Sequence, residues 1–250
     1  MNVTRIIAAF APRAEAFWRT AGPHNGFPRD IERAIAYALP LAVVRLPQLT
    51  VGSVAEWLRS RGIAAPSQQG RRPLRGCLFA YGGHGLVFID GRDPTDEVRL
   101  VLAHEVAHFI LHHLEPRQRT VASLGKAALE ILDGLRSPTP QERLAGVLRG
   151  VTLGEYLHAM TRDDDGLIPS GRIAGMETEA DILGFELLAP VNEVGERLSL
   201  DHAPPDRRVI ACVVEEQFGL PRSAAEAWAY QIAAHYRQPA SFTDWLSGAQ

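Results

Sequence analysis

The sequence predicts an α+β fold that is mainly helical and carries a small antiparallel β-sheet. Three observations lead to this prediction. Apolar residues recur three or four positions apart through most of the 250 residues, which is the spacing of one buried helix face. Two short β-rich runs, Cys77–Tyr81 and Leu86–Ile89, flank the turn sequence Gly82–Gly85. A strongly apolar helical pattern then follows. We expect residues 1–250 to form a single domain.

The composition is that of an ordinary globular protein, with 46% hydrophobic and 22% charged residues. The net charge of −3 excludes the broad basic field with which proteins gather nucleic acid or anionic membranes. Two cysteines, Cys77 and Cys212, are too few for a disulfide framework. The apolar run Ile6–Phe10 is too short for a signal peptide, and no run approaches the ~18–20 apolar residues of a membrane helix. We therefore expect a cytoplasmic protein.

Residues 1–70 are predicted to be an N-terminal helical part. Two sets of apolar residues at helical spacing indicate helices there: Ile31, Ala34, Ile35 and Leu39 in the first, and Val54, Trp57 and Leu58 in the second. The polar stretch 64–72 contains Pro and Gly and is typical of a loop.

Residues 71–114 contain the predicted hairpin and the apolar helix. The glycines of Gly82–Gly85 tolerate the positive φ of a tight turn. No Lys-Ser/Thr pattern follows them, which favours a turn over a phosphate-binding loop. Asp93 is the expected N-cap and Pro94 the expected first residue of a helix that runs to about Leu114. This helix is apolar enough to be buried.

Residues 115–176 are predicted to be a helical insertion, interrupted at Pro138 and Pro140. Its acidic loop Asp163–Gly166 lacks the alternating acids of a calcium-binding loop and is interpreted as solvated. The last part, residues 177–250, is predicted to hold three helices: about Glu177 to Ala189, Arg207 to Phe218 and Arg222 to Tyr236.

The motif that indicates chemistry is His104-Glu105-Val-Ala-His108, inside the apolar helix. Residues four apart lie on one helix face, ~6 Å apart along the axis, so both imidazoles can bind one zinc ion. Glu105 is rotated by ~100° and can reach a water on the metal without binding the metal. Chance would give this motif in about one of fifty such sequences. We interpret it as a metal site.

A zinc site of this kind needs a third protein ligand and an open position for water. Glu177 is the predicted third ligand, and Glu179 is the less favoured alternative. Both could instead be ordinary first-turn acids that the helix dipole favours. Asp181, one turn after Glu177, is expected to accept a hydrogen bond from a ligating histidine.

Two more histidines follow the motif. His112 lies eight residues after His104, or ~12 Å along the helix, which is too far for both to share one ion comfortably. We expect His112 to be a core residue or to support a ligand, and His113 to lie on the surface.

Two segments resemble the ImmA/IrrE-type metallopeptidases. They are Arg99-Leu-Val-Leu-Ala-His-Glu-Val-Ala-His-Phe-Ile-Leu-His112 and Glu177-Thr-Glu-Ala-Asp-Ile-Leu-Gly-Phe-Glu-Leu-Leu-Ala-Pro190. Glu177 and Asp181 also look like the E-x-x-x-D pair of thermolysin-like zinc peptidases. The resemblance implies a zincin-like fold, zinc held by His104, His108 and Glu177, and Glu105 as the catalytic residue. It also implies a regulatory protease whose partner is a protein substrate such as a helix-turn-helix transcriptional repressor.

We expect metal-assisted peptide hydrolysis, with Glu105 moving the proton. Leu86–Asp90 is expected to offer a strand edge to an extended substrate. The residue that stabilises the oxyanion is left open among Tyr156, His158, His202 and Tyr230. Residues from about Arg117 to Arg162 are expected to pack beside the cleft and restrict which substrates enter.

Two alternatives stay open. Val213–Trp228 has the helix–turn–helix rhythm of a DNA-binding regulator. Residues 206–237, however, carry as many acidic as basic side chains, whereas a recognition helix should be basic. The other alternative is a partner-binding regulatory protein that keeps the metal site but has no peptidase activity, against which the intact Glu105 argues. We expect no nucleic-acid or membrane partner.

Overall fold

The structure is a computed structural model that describes residues 3–23, 26–63, 72–143, 156–161, 171–198 and 206–236. Its helices are α1 (Val3–Ala21), α2 (Ile31–Ala38), α3 (Val51–Ser60), α4 (Thr95–His108), α5 (Glu115–Leu124), α6 (Leu129–Leu132), α7 (Gly171–Leu188), α8 (Val191–Leu198), α9 (Arg207–Phe218) and α10 (Arg222–Tyr236). Its strands are β1 (Leu41–Leu46), β2 (Leu74–Tyr81), β3 (His84–Asp90) and β4 (Tyr156–Thr161). Helices dominate and the strands form one small sheet, which confirms the predicted α+β class.

The sheet is mixed, with the strand order β1-β3-β2-β4. β2 and β3 pair antiparallel, as the predicted hairpin requires, and Gly82 and Gly83 adopt positive φ at its turn. β4 also pairs antiparallel with β2, but β1 pairs parallel with β3. The prediction of an antiparallel sheet is therefore wrong for one pair of strands. A parallel pair needs a crossover connection, which α3 and β2 provide.

Two of the four strands lie in parts of the chain that the sequence predicted to be helical. β1 lies within residues 1–70 and reads LAVVRL, a run too short to show a clear alternation. β4 lies within the predicted insertion 115–176, and its strand conformation depends on pairing with β2. Strand formation of this kind is decided by tertiary context more than by local propensity.

β3 is an interior strand of this sheet. Its residue Val87 is paired on one side with Val43 and on the other with Leu78. The prediction that Leu86–Asp90 offers a free edge is therefore wrong, because β1 covers that edge. Among the described strands, β1 and β4 are the outer ones.

The sheet separates two apolar layers. Leu78 and Val87 face the layer that contains α4, whereas Cys77 and Phe88 face the layer that contains α3. The alternation follows the period of two of a β-strand. Helix α4 is thereby held directly on one face of the sheet.

Helix α4 carries the predicted metal motif. Pro94 is its cap residue, one position later than the predicted cap Asp93. The helix is regular as far as His108, and Phe109–Leu114 then form a π-helical segment. In that segment the hydrogen bonds span five residues, as between the Glu115 amide and the Ile110 carbonyl.

Helix α7 packs against α4 and carries the predicted third ligand. It begins at Gly171 rather than near Glu177, and it ends at Leu188, two residues before Pro190. The two helices lie close together at Gly184, where a Cβ atom would lie 3.3 Å from the backbone nitrogen of His104. Glycine therefore permits the close approach of the two helices.

The C-terminal helices α9 and α10 have the predicted bounds. Gly219 ends α9 in the left-handed conformation, with φ of 67°. Trp228 of α10 is fully buried, and its indole donates a hydrogen bond to the Ala189 carbonyl. None of the described helices is both long enough and apolar enough to cross a membrane. The acidic loop Asp163–Gly166 lies outside the described residues.

Candidate metal centre

Helix α4 buries the polar side chains of its motif. The relative exposure of His104 is 3%, and Glu105 and His108 are completely buried. Their neighbours Ala103, Val106 and Ala107 are apolar and equally buried. Imidazole and carboxylate groups at this depth need polar partners or a metal ion to offset their lost hydration.

The structure brings His104, His108 and Glu177 together. The Nε2 atoms of the two histidines lie 3.0 Å apart. The Glu177 Oε2 atom is 3.4 Å from the first of these nitrogens and 3.6 Å from the second. One ligand atom from each side chain thus faces a common point, and this group could hold a metal ion.

The separations of these three atoms fit one ion. The circle through them has a radius of about 1.9 Å, close to the ~2.0–2.2 Å bonds that imidazole and carboxylate ligands make to zinc. The three atoms are therefore spaced closely enough to bind one zinc ion at ordinary bond lengths. The three atoms come from two different helices, because α4 supplies the two histidine nitrogens and α7 supplies the glutamate oxygen.

Asp181 contacts His104 on the side of the ring that points away from the cluster. Its Oδ1 atom lies 2.9 Å from His104 Nδ1. Burial alone would lower the pKa of His104, but the hydrogen bonds to Asp181 and Glu177 outweigh it and raise the pKa to about 10. When Nδ1–H donates to Asp181, the lone pair of Nε2 is directed at the cluster.

Glu105 lies beside the cluster but is not one of its three converging side chains. Its carboxylate packs against β2 at Gly76, where a Cβ atom would lie 2.7 Å from Glu105 Oε1 and 2.6 Å from Val101 Cγ1. Real Cβ atoms essentially never approach so closely, so a larger residue at position 76 would force these side chains to shift. The sequence interpretation overlooked Gly76, although an isolated glycine in a strand often marks a close approach.

Glu179, the alternative ligand, does not join the cluster. Its Oε2 atom lies 3.6 Å from His112 Nε2. His112 in turn places its Nδ1 atom 3.0 Å from His108 Nδ1. Of the two glutamates considered for the third position, only Glu177 faces both histidines of the motif.

His113 is buried, so the prediction that it lies on the surface is wrong. The Gly83 amide donates to its Nε2 atom at 3.1 Å, and its ring stacks on Phe109. Burial, with a further contribution from Arg117, lowers the pKa of His113 to about 4. The π-helical segment directs this side chain toward the hairpin, which no local sequence pattern indicated.

None of the four candidates for the oxyanion partner gains support. Tyr230 is exposed on α10, and the Arg207 guanidinium lies over its ring. His202 lies outside the described residues. For Tyr156 and His158 the structure describes the backbone of β4 alone.

No protein-family profile matches the chain, and neither a curated protein nor a solved structure is significantly similar to it. The chemical interpretation of the site therefore depends on its own residues.

Proposed function

We propose that this protein is a zinc-dependent endopeptidase. The observation that carries the proposal is the meeting of His104, His108 and Glu177 around one point, with Glu105 buried beside them but outside the group. A structural metal site has no need of an additional buried carboxylate, whereas hydrolysis needs one to move protons.

The donor set favours zinc. Two imidazole nitrogens and one carboxylate oxygen are one of the three-ligand sets of catalytic zinc sites, which leave one position open. Zinc, when bound, lowers the pKa of its water and polarises the scissile carbonyl. The remaining tasks belong to side chains of this chain.

Glu105 is the residue that moves the proton. From its position between α4 and β2 it accepts the proton of the attacking water and passes it to the leaving nitrogen. Gly76 has no side chain at the point where this carboxylate packs against β2. Asp181 keeps the His104 ring oriented.

The substrate that we propose is a protein, bound in an extended conformation. Because β3 is an interior strand, it has no free edge for a substrate. We propose that the substrate pairs with the outer edge of β4, since β4 pairs with β2 and β2 contacts Glu105 at Gly76. The resemblance of both motif segments to ImmA/IrrE-type peptidases favours a regulatory role, such as cleavage of a helix-turn-helix repressor. We place the reaction in a reducing compartment such as the cytoplasm, because Cys77 and Cys212 are free thiols.

The function is tested with metal-free protein and a library of quenched fluorescent peptides. We expect no cleavage without metal, cleavage after addition of one equivalent of zinc, and products with new amino termini in mass spectrometry. The matched control is Glu226→Gln, because Glu226 is an exposed residue on α10 that pairs with Arg222. Protein that binds zinc stoichiometrically but cleaves neither the library nor a co-expressed repressor would contradict the proposal.

A further inference from the structure

The two histidines of the metal group are held by different partners. His104 Nδ1 contacts a carboxylate, at 2.9 Å from Asp181 Oδ1. His108 Nδ1 contacts another imidazole, at 3.0 Å from His112 Nδ1. Both ring nitrogens that point away from the cluster therefore have a polar partner.

The contact between two Nδ1 atoms restricts the proton positions. If His108 Nε2 presents a lone pair to the cluster, its Nδ1 atom carries the hydrogen and donates to His112 Nδ1. His112 then accepts at Nδ1 and carries its own hydrogen on Nε2, which faces the Glu179 carboxylate at 3.6 Å. Donation from His108 Nδ1 to His112 Nδ1 therefore runs away from the metal group, toward the Glu179 carboxylate.

The π-helical segment brings His112 into this position. The segment begins directly after His108, and His112 lies within it. Its wider turn changes the rotation between residues four apart, and His112 is 11% exposed with its ring 5.1 Å from that of His108. Single π-helical turns inside α-helices are often found at functional sites.

From this geometry we propose that His112 is a positioning residue for His108 and that Glu179 completes its support. The inference rests on the proposed zinc site. It divides the roles of the acids on α7: Glu177 binds the metal, Asp181 orients one histidine directly, and Glu179 orients the other through His112. Partners of ligating histidines commonly change metal affinity by about 10- to 100-fold.

The test measures zinc affinity by competition with a chromophoric chelator in two variants of His112. His112→Leu removes the acceptor at Nδ1 and should weaken zinc binding by about 10- to 100-fold. His112→Asn places an amide oxygen near the former Nδ1 position and should restore most of the affinity. If His112→Leu does not fold without metal, the zinc affinity of His112→Asn is compared with that of the wild type instead, because the Asn variant keeps a polar side chain at the site.

The matched control is His113→Leu, next along the same segment. His113 is buried and accepts a hydrogen bond from Gly83, so this change should lower stability and leave zinc affinity unchanged. Equal zinc affinity in His112→Leu and the wild type would overturn the proposal. So would an Asn variant as weak as the Leu variant, or an equal loss in the His113 control.

The same measurements separate this inference from the proposed function. Wild-type protein that binds zinc and cleaves no peptide bond refutes the peptidase, while the affinity series still decides the role of His112. An active peptidase whose zinc affinity is the same in the wild type and in the His112 variants refutes the positioning role alone.

Discussion

At the scale of single residues, the proposed catalytic step depends on the contact between the Glu105 carboxylate and Gly76 of β2. Glu105 is completely buried, and Gly76 forms the wall next to it. A carboxylate enclosed in this way has few alternative rotamers, which keeps it near the atoms it must serve. Gly76 is thus a positioning residue for Glu105.

Gly76→Ala should separate catalysis from metal binding. The new methyl group would meet both Val101 and Glu105, so the free energy of unfolding should fall by about 1–3 kcal/mol. Displacement of Glu105 should lower the rate of hydrolysis, while zinc affinity stays near that of the wild type. Urea unfolding, zinc titration and peptide cleavage measure the three effects.

The control for this change is Gly91→Ala at the end of β3. A Cβ atom there would lie 3.4 Å from the Leu46 carbonyl oxygen, an ordinary contact, and should alter stability by only about 0.5 kcal/mol. Unchanged stability and activity in the Gly76 variant would show that the wall next to Glu105 is not required.

The residues of the motif could be identified from their spacing, but their surroundings could not. A separation of four positions fixes the common helix face of His104 and His108 whatever the fold. The burial of His113 depends on a π-helical turn and a hairpin amide, and Gly76 meets Glu105 only after the sheet and α4 have packed. Such contacts between distant segments leave no local pattern.

At the scale of elements, the contact between α4 and α7 assembles the metal group. α4 carries two converging atoms and α7 carries one, so a small shift of either helix changes all separations to Glu177. At Gly184 the backbone of Ala103 and His104 leaves little space for a side chain. The distance between the helices should therefore control metal affinity.

Gly184→Leu should push α7 away from α4. The side chain has to enter a space bounded by the backbone of Ala103 and His104, which cannot move as a flexible side chain can. We expect a clear loss of zinc affinity and a lower free energy of unfolding, measured by chelator competition and urea unfolding.

Gly175→Leu on the same helix is the matched control, because a Cβ atom there has no neighbour within 4 Å. It should keep zinc affinity and gain slightly in helix stability. Equal zinc affinity in the Gly184 and Gly175 variants would mean that the contact between the helices does not set the geometry of the group.

Elements with strong local signals were predictable, and elements formed by pairing were not. The bounds of α9 and α10 follow from helical spacing and from Gly219 between them. β1 and β4 became strands because β3 and β2 offered them partners. The edge available to a substrate was therefore predicted at the wrong strand.

At the scale of the whole molecule, one core connects α1, α4, α7 and α10, and it encloses an acid remote from the motif in sequence. Glu186 of α7 is 2% exposed, and its Oε2 atom accepts a hydrogen bond from the Val191 amide at 2.8 Å. Burial raises the pKa of Glu186 to about 7, although this hydrogen bond and Arg29 oppose the shift.

This raised pKa predicts how stability depends on pH. Between about pH 4.5 and 7 the folded protein holds a proton at Glu186 that the unfolded chain has released. The contribution of Glu186 to stability is therefore complete below this range and is lost as the pH rises through about 7.

Glu186→Gln should remove this contribution, since the amide does not titrate. The wild type should lose roughly 3 kcal/mol in free energy of unfolding between pH 4.5 and pH 8 that the variant does not lose. Urea unfolding of both proteins across that range measures the difference. Parallel curves would contradict the assignment of a buried, titrating Glu186.

The proposed roles of Glu105 in catalysis and Glu177 in metal binding are separated by two variants, Glu105→Gln and Glu177→Ala. Zinc content and peptide cleavage are measured for both. Glu105→Gln should keep one zinc per chain and lose about 10²- to 10⁴-fold in hydrolysis rate. Glu177→Ala should instead lose zinc affinity and the stabilisation that bound zinc gives. A Glu105→Gln protein that fails to retain zinc, or that cleaves peptides at the wild-type rate, would refute this division of roles between Glu105 and Glu177.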